Sequence, residues 1–386
     1  MFYRRQITLV LAFSLIASLL LGGLLSTGAS AQQSGTSPTQ EKNRPRRAGE
    51  QSTQPTTTQQ SKPAPSPTPT KEDGTPLQDD EVVRVETDLT NILFTAVDKQ
   101  KRFVTTLKQE DIHVTEDGQP QEIFTFARQT DLPLSLAILI DTSISEERTL
   151  PVEKAAAASF VDEVIRPDKD EAAVVSFTGE ATLEQNLTGN ASRVRRALDR
   201  VEFVPPSGYI GNGQIAGTPP ISGTNQSTQG STAIWDAIWV TSDEILSVTS
   251  DKTRRAIILL TDGQDSSSHK HMDDAIDRAL KSDAVIYAIG IGDEYYGGIN
   301  KGTLRKLSER TGGRAFFPED ESELRAAFVQ IQLELRSQYL VAYSSTNKSK
   351  DGSFRRVQIE ITNPELRKQS YKLTYRQGYF GRSATK

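Results

Sequence analysis

Three short segments of this sequence combine residue types and spacings that could do chemistry: Asp141-Thr142-Ser143-Ile144-Ser145, Gly230-Ser231-Thr232 and Thr261-Asp262-Gly263. Each offers hard oxygen ligands, carboxylates from Asp141 and Asp262 and hydroxyls from Ser143, Ser145 and Thr232, and none contains a thiol or an imidazole. An all-oxygen set of this kind suits a hard divalent cation. Mg²⁺ prefers octahedral oxygen at about 2.0–2.1 Å and usually keeps waters or a ligand oxygen in its shell. In this reading Ser143, Ser145 and Thr232 coordinate through their hydroxyls, while Asp141 and Asp262 hold the charge directly or through water. Hydroxyls are neutral, so a bound Mg²⁺ or Mn²⁺ would keep much of its positive character and attract a carboxylate from another molecule. The competing use of such residues is ordinary turn and helix capping. That use explains each segment alone but not all three together.

The segments gain meaning from the elements that must carry them. Leu134–Ile140, Ala172–Phe177, Ala256–Leu260 and Ala284–Gly290 are short, nearly continuous apolar runs. Between them lie stretches with helical periodicity, over 150–165, 192–201 with Asn190 as cap, 232–246, 272–281, 303–311 and 322–338, and a short strand over 314–317. Apolar strands alternating with amphipathic helices predict a mostly parallel sheet covered on both faces, an α/β fold. In such sheets ligands bind beyond the carboxyl ends of the strands, at a switch point. Asp141 and Asp262 each end an apolar run, and Thr232 opens a helix, so all three segments are expected at one edge.

Asp141-x-Ser143-x-Ser145, Gly230-x-Thr232 and Thr261-Asp262-Gly263, in that order and at those positions, resemble the metal-ion-dependent adhesion site of von Willebrand factor type A domains. The resemblance covers roughly residues 133–335, and all five metal positions match. It implies a Rossmann-like fold and divalent-cation-dependent protein binding, and it does not imply catalysis. The flanks are similar to those of a bacterial subgroup of von Willebrand factor A-related proteins. There a short β segment like Glu116-Asp117-Gly118 precedes the domain, and a strand like Arg376-Gln377-Gly378-Tyr379-Phe380 closes the chain.

The rest of the chain divides by composition. Arg4 and Arg5, the apolar run Ile7–Leu25 and Ala29-Ser30-Ala31 predict an export signal over 1–31, cleaved after Ala31. If it stays uncleaved, the run is long enough to anchor the protein in a membrane. Residues 32–80 are rich in Ser, Thr, Gln and Pro, which predicts a disordered linker. A small antiparallel β module is expected over 81–130, with strands at 82–85, 92–97, 112–115 and 122–126. The type A domain then occupies 131–338. Alternating strands over 339–386 could pack with the 81–130 module, because the ends of an inserted domain usually lie close together.

Composition excludes several functions. There is no cysteine, so disulfides, thiolate metal sites and cysteine nucleophiles are ruled out. A net charge of -5 argues against nucleic acid as a partner. Only three histidines exist, leaving few candidates for a Ser-His-Asp triad or a zinc site. His113 falls on a strand, and His269 and His271 lie in a polar loop and read as solvated. Glu146 and Glu147 read as residues that favour the start of the following helix through its positive end. The long aperiodic stretch between about 203 and 230 enters the metal face and reads either as a recognition loop, with Tyr209 and Ile210 as partner contacts, or as an unstructured insertion, and Asp293 belongs to a rim loop on the same face. The expected function is an exported, non-enzymatic binding protein, periplasmic or at the cell surface, that captures a protein carboxylate. The alternatives are an envelope-assembly role in which the metal only orders loops, or a metal-dependent hydrolase.

Overall fold

The computed structural model describes residues 46–47, 89–128, 131–205, 210–211, 214–215, 231–250, 252–292, 295 and 297–383. All belong to one compact unit, Arg44–Lys386. The export signal, most of the linker and the expected strand at 82–85 lie outside the described residues. Among the described residues, no helix is long and apolar enough to cross a membrane.

In chain order the strands are β1 (Arg46–Arg47), β2 (Leu89–Val97), β3 (Ile112–Glu116), β4 (Gln119–Gln121), β5 (Ile123–Arg128), β6 (Leu134–Asp141), β7 (Glu171–Phe177), β8 (Ala181–Thr188), β9 (Ile210–Gly211), β10 (Gln214–Ile215), β11 (Arg254–Thr261), β12 (Ala284–Gly290), β13 (Ala315–Phe316), β14 (Tyr339–Ser344), β15 (Phe354–Ile361), β16 (Lys372–Tyr375) and β17 (Gly378–Phe380). The helices are α1 (Leu150–Val164), α2 (Ala191–Arg200), α3 (Ile234–Val240), α4 (Met272–Lys281), α5 (Lys301–Thr311), α6 (Glu321–Arg336) and α7 (Pro364–Lys368).

The central sheet has the order β1-β8-β7-β6-β11-β12-β13. The five strands from β7 to β13 run parallel, and β8 joins antiparallel at the side of β7. Every residue of β6 and β11 is buried, as two-sided coverage demands. Alternate residues feed two cores. Leu136, Ile138, Ile140, Ile258 and Leu260 pack under α1, α2 and α6, while Ala137, Leu139, Ile257 and Leu259 pack under α3, α4 and α5.

Three departures from the sequence reading fall in the central sheet and its helices. Strand β8 was not foreseen, because its antiparallel position leaves most of it only half-buried and blurs its apolar period. The helix expected over 232–246 begins at Ile234 and continues past Val240 as a π-helical turn over Thr241–Leu246. Arg46–Arg47 fall in the stretch read as a disordered linker, yet pair with Leu183 and Thr182 of β8. Backbone bonding to an open strand edge needs no apolar side chain, so composition did not reveal it.

The flanking strands form two antiparallel sheets, β16-β2-β14-β5 and β17-β15-β3-β4. C-terminal and N-terminal strands alternate in the first, and in the second the C-terminal pair β17-β15 joins the N-terminal pair β3-β4. β14 lies between β2 and β5, β16 pairs with β2, and β15 pairs with β3. Phe94, Phe126 and Tyr339 stack in the core between the sheets. The Tyr339 hydroxyl accepts from the Leu107 amide at 3.0 Å and donates to the Val104 carbonyl at 3.1 Å. His113 is a half-buried residue of β3.

Candidate metal centre

The sheet order places a switch point between β6 and β11: the chain leaves β6 towards β7 and β8, then returns to the other side of β6. Asp141 ends β6 and Thr261 ends β11 in adjacent parallel register. The Thr261 hydroxyl donates to Asp141 Oδ2 at 2.6 Å, and the Ser143 amide donates to Asp141 Oδ1 at 2.9 Å. Asp141 is fully buried. The neighbouring backbone is fixed by Thr142, whose amide and hydroxyl both donate to the Phe177 carbonyl, at 2.8 and 3.0 Å.

Ser143 and Ser145 flank a tight turn, with their hydroxyl oxygens 3.2 Å apart. Ser145 adjoins the carboxyl of Asp262. The loop carrying Asp262 turns sharply at Gly263, whose φ of +80° suits glycine, and a Cβ there would also press on Leu304 at 2.8 Å. Gly292 faces Asp262 so closely that a Cβ would meet the Asp262 Cβ at 2.7 Å. Thr232 is buried beside the same loop: its carbonyl accepts from the Ser266 and Ser267 amides at 2.9 and 3.0 Å, and its amide donates to Ser266 Oγ at 2.8 Å. Asp265 Oδ1 accepts from the Ile234 amide at 2.8 Å, which fastens the start of α3 to this loop.

Asp141, Ser143, Ser145 and Asp262 are therefore together, and Thr232 is hydrogen-bonded into the loop that bears Asp262. Ile210 lies in a two-residue ribbon with Gln214–Ile215. Tyr209 and Asp293 lie outside the described residues, so their roles as partner contacts rest on the sequence. His269 and His271 are exposed, and the ring of His269 bonds Asp236 at 3.0 Å.

The sequence reading missed one member of the site and a second buried acid behind it. Glu146 does not point outward at a helix start. It is fully buried, and its carboxylate joins those of Asp141 and Asp262, with the three ligand oxygens within 4.8 Å of one another. Its other contacts are the Thr149 hydroxyl, which donates to Oε2 at 2.8 Å, and Ser145 Oγ at 3.5 Å. Behind it, in the first turn of α1, Glu153 is also fully buried. It adjoins Thr149 and Glu146, but neither of its oxygens makes a hydrogen bond of normal geometry.

Four buried carboxylates in one place carry a heavy electrostatic cost. Burial pushes the Asp141 carboxyl up to about 7, with the charge of Asp262 adding to the rise. Burial does the same to Glu153, also to about 7. Glu146 is held well above the usual carboxylate range, by burial first and then by Glu153 and Asp141. Asp262 is raised by burial. No lysine or arginine is among the leading influences on any of them. Hard oxygen donors around uncompensated negative charge are the environment that a divalent cation relieves. The donor set therefore fits the cation expected from the motif.

The family profile of the von Willebrand factor type A domain matches twice, over residues 136–264 and 220–330. The chain carries a von Willebrand factor type A domain. Similar solved structures include proximal thread matrix protein 1 from the mussel byssus with a zinc-occupied MIDAS motif (21% identity, 57% of this chain and 50% of that one, TM-score 0.43). BatB from Bacteroides thetaiotaomicron is similar at 17% identity (52% of this chain, 98% of that one, TM-score 0.39). A von Willebrand factor type A protein from Catenulispora acidiphila matches at 15% identity (73% of this chain, 75% of that one, TM-score 0.42). The chain spans about half the length of the mussel protein. No curated protein matches it. Within this type A domain, the acidic cluster lies at the sheet edge where the family's motif falls.

Proposed function

We propose that this protein is an exported binding module whose type A domain holds Mg²⁺ or Mn²⁺ and captures a carboxylate on a partner protein. The observation that carries this reading is the meeting of Asp141, Ser143 and Ser145 with Asp262 at the switch point, with Thr232 hydrogen-bonded into the same loop. A bound cation supplies the positive field that attracts an acidic group. The chain's own residues orient and insulate it. Ser143, Ser145 and Thr232 offer neutral oxygens, Asp141 and Asp262 offer charge, and Thr261 holds Asp141 in place. The reading assigns no catalysis to the site, since its groups serve to coordinate and no nucleophile motif accompanies them. Export rests on the basic, apolar and small-residue pattern of residues 1–31, and places the module in the periplasm or at the cell surface.

A role in envelope assembly is the second reading, in which the cation only stiffens loops. The extra carboxylate of Glu146 favours it, because more protein charge leaves the cation less need of an outside ligand. Calorimetric titration of the purified protein with an Asp/Glu-rich peptide separates the two. Under the binding reading the peptide associates in Mg²⁺ or Mn²⁺ and not in chelator, and Thr232→Ala weakens it about tenfold or more, on the scale of a lost metal-centre interaction. Equal affinity with and without chelator, or a Thr232→Ala variant that binds as tightly as wild type, would leave only the assembly role.

A further inference from the structure

We infer that Glu146 is a third carboxylate ligand of the cation, and that Glu153 backs it as an acceptor for cation-bound water. This goes beyond the Asp-x-Ser-x-Ser, Thr and Asp pattern, which assigns no role to either glutamate, and it rests on the reading that the site holds a cation.

Two independent observations carry it. First, Glu146 offers an oxygen within 4.8 Å of ligand oxygens on both Asp141 and Asp262, so one ion can touch all three. Its side chain is fully buried, which fixes it there, and the Thr149 hydroxyl on Oε2 helps to orient the carboxylate. Second, Glu153 is fully buried beside Thr149 and Glu146, and neither of its oxygens makes a hydrogen bond of normal geometry. Buried polar atoms nearly always find a partner, and a buried carboxylate without one needs a specific explanation. Water held on a cation at Glu146 supplies that partner, in the way outer carboxylates commonly support metal ligands.

The consequence is a site that needs no partner to hold its ion. Two aspartates and a glutamate bring three formal negative charges to a divalent cation, and affinity rises with ligand charge. A partner carboxylate must then compete with Glu146 for its place.

The test uses the full chain with Mn²⁺ alone, with no acidic peptide. Glu146→Gln keeps the shape and removes the charge, and is expected to weaken Mn²⁺ about tenfold or more by calorimetry. Glu153→Gln is expected to weaken it by a smaller factor. Circular dichroism confirms that each variant is folded. Should Glu146→Gln fail to fold, wild type grown with [¹³C]glutamate settles the matter. The motif's own carboxylates are all aspartates, so a band in the infrared difference spectrum at one equivalent of Mn²⁺ that moves with the glutamate label reports a glutamate ligand. Unchanged Mn²⁺ affinity in folded Glu146→Gln, or no glutamate band in wild type, overturns the inference while leaving the proposed function standing. A wild type that takes up no Mn²⁺, Mg²⁺ or Ca²⁺ removes the proposed function and this inference together.

Discussion

In the presence of chelator the protein is expected to lose stability as pH rises from about 4 to about 7, and added Mg²⁺ or Mn²⁺ should restore it most strongly at the upper end of that range. The sign follows from the buried acids. Asp141 and Glu153 have folded-state pKa values near 7, above the ordinary 3.8 and 4.5, chiefly because burial disfavours their charged forms. Between those limits the folded state binds more protons than the unfolded state, so stability falls with rising pH. Each unit of such a shift is worth about 1.4 kcal/mol, and neighbouring acids share the effect. A cation replaces the protons, so its affinity rises over the same window. At a hundredfold excess over Kd it adds about 2.7 kcal/mol. For a domain of this size that is a rise of roughly 5–10 °C in Tm. Thermal melts at pH 5, 6 and 7, with chelator and with saturating cation, read this directly. Chelator curves that do not move with pH, or a cation effect equal at all three values, would show that the four carboxylates are not the cation's site.

Glu116→Ala should be the most damaging single substitution outside the metal centre, costing about 3–5 kcal/mol, the usual penalty for stranding one partner of a buried ion pair. Glu116 in β3 is almost fully buried and lies 3.6 Å from Arg355 of β15, itself buried. It also accepts hydrogen bonds from the hydroxyls of Tyr343 at 2.9 Å, Ser345 at 2.5 Å and Tyr379 at 2.8 Å. One carboxylate thus joins segments more than 220 residues apart in sequence. Without it, the Arg355 guanidinium keeps the Asn347 and Ser349 carbonyls and the Ser345 hydroxyl, but no counter-charge. Glu116→Gln retains an acceptor and should cost clearly less. Urea denaturation measures both, and a Glu116→Ala loss below about 1 kcal/mol would refute this account. Because the network is remote in the fold from Asp141, Mn²⁺ affinity of the folded variant should match wild type.

The sandwich also reaches into the type A domain. The Thr95 hydroxyl donates to Glu334 Oε1 of α6 at 3.4 Å, Arg314 pairs with Glu334 Oε2 at 3.4 Å, and Arg376 pairs with Asp283. At Gly312 a Cβ would approach the Arg376 amide nitrogen to 2.4 Å, so only glycine lets the C-terminal strand pass so close. These contacts join the two layers at the side of the sheet opposite Asp141, since Asp283 precedes β12 and Gly312 precedes β13.

The type A fold and five of the positions at its rim could be read from the sequence because both are local patterns. A parallel strand buried on two faces must be apolar throughout, which makes β6, β11 and β12 stand out, and the segment after such a strand falls at the ligand edge by the geometry of the sheet. The two glutamates could not be read in the same way. Glu153 occupies the apolar stripe that runs through Leu150, Ala157, Phe160 and Val164, a visible signal, but an acid in a first helical turn is also what the helix dipole favours. Glu146 sits one residue past the serine motif, where exposure and burial look alike in sequence. Only the tertiary structure decided that both turn inward, that β8 closes the sheet antiparallel, and that strands from the two ends of the chain interleave. In each case the deciding quantity is burial against residues distant in sequence, and a one-dimensional pattern carries no record of it.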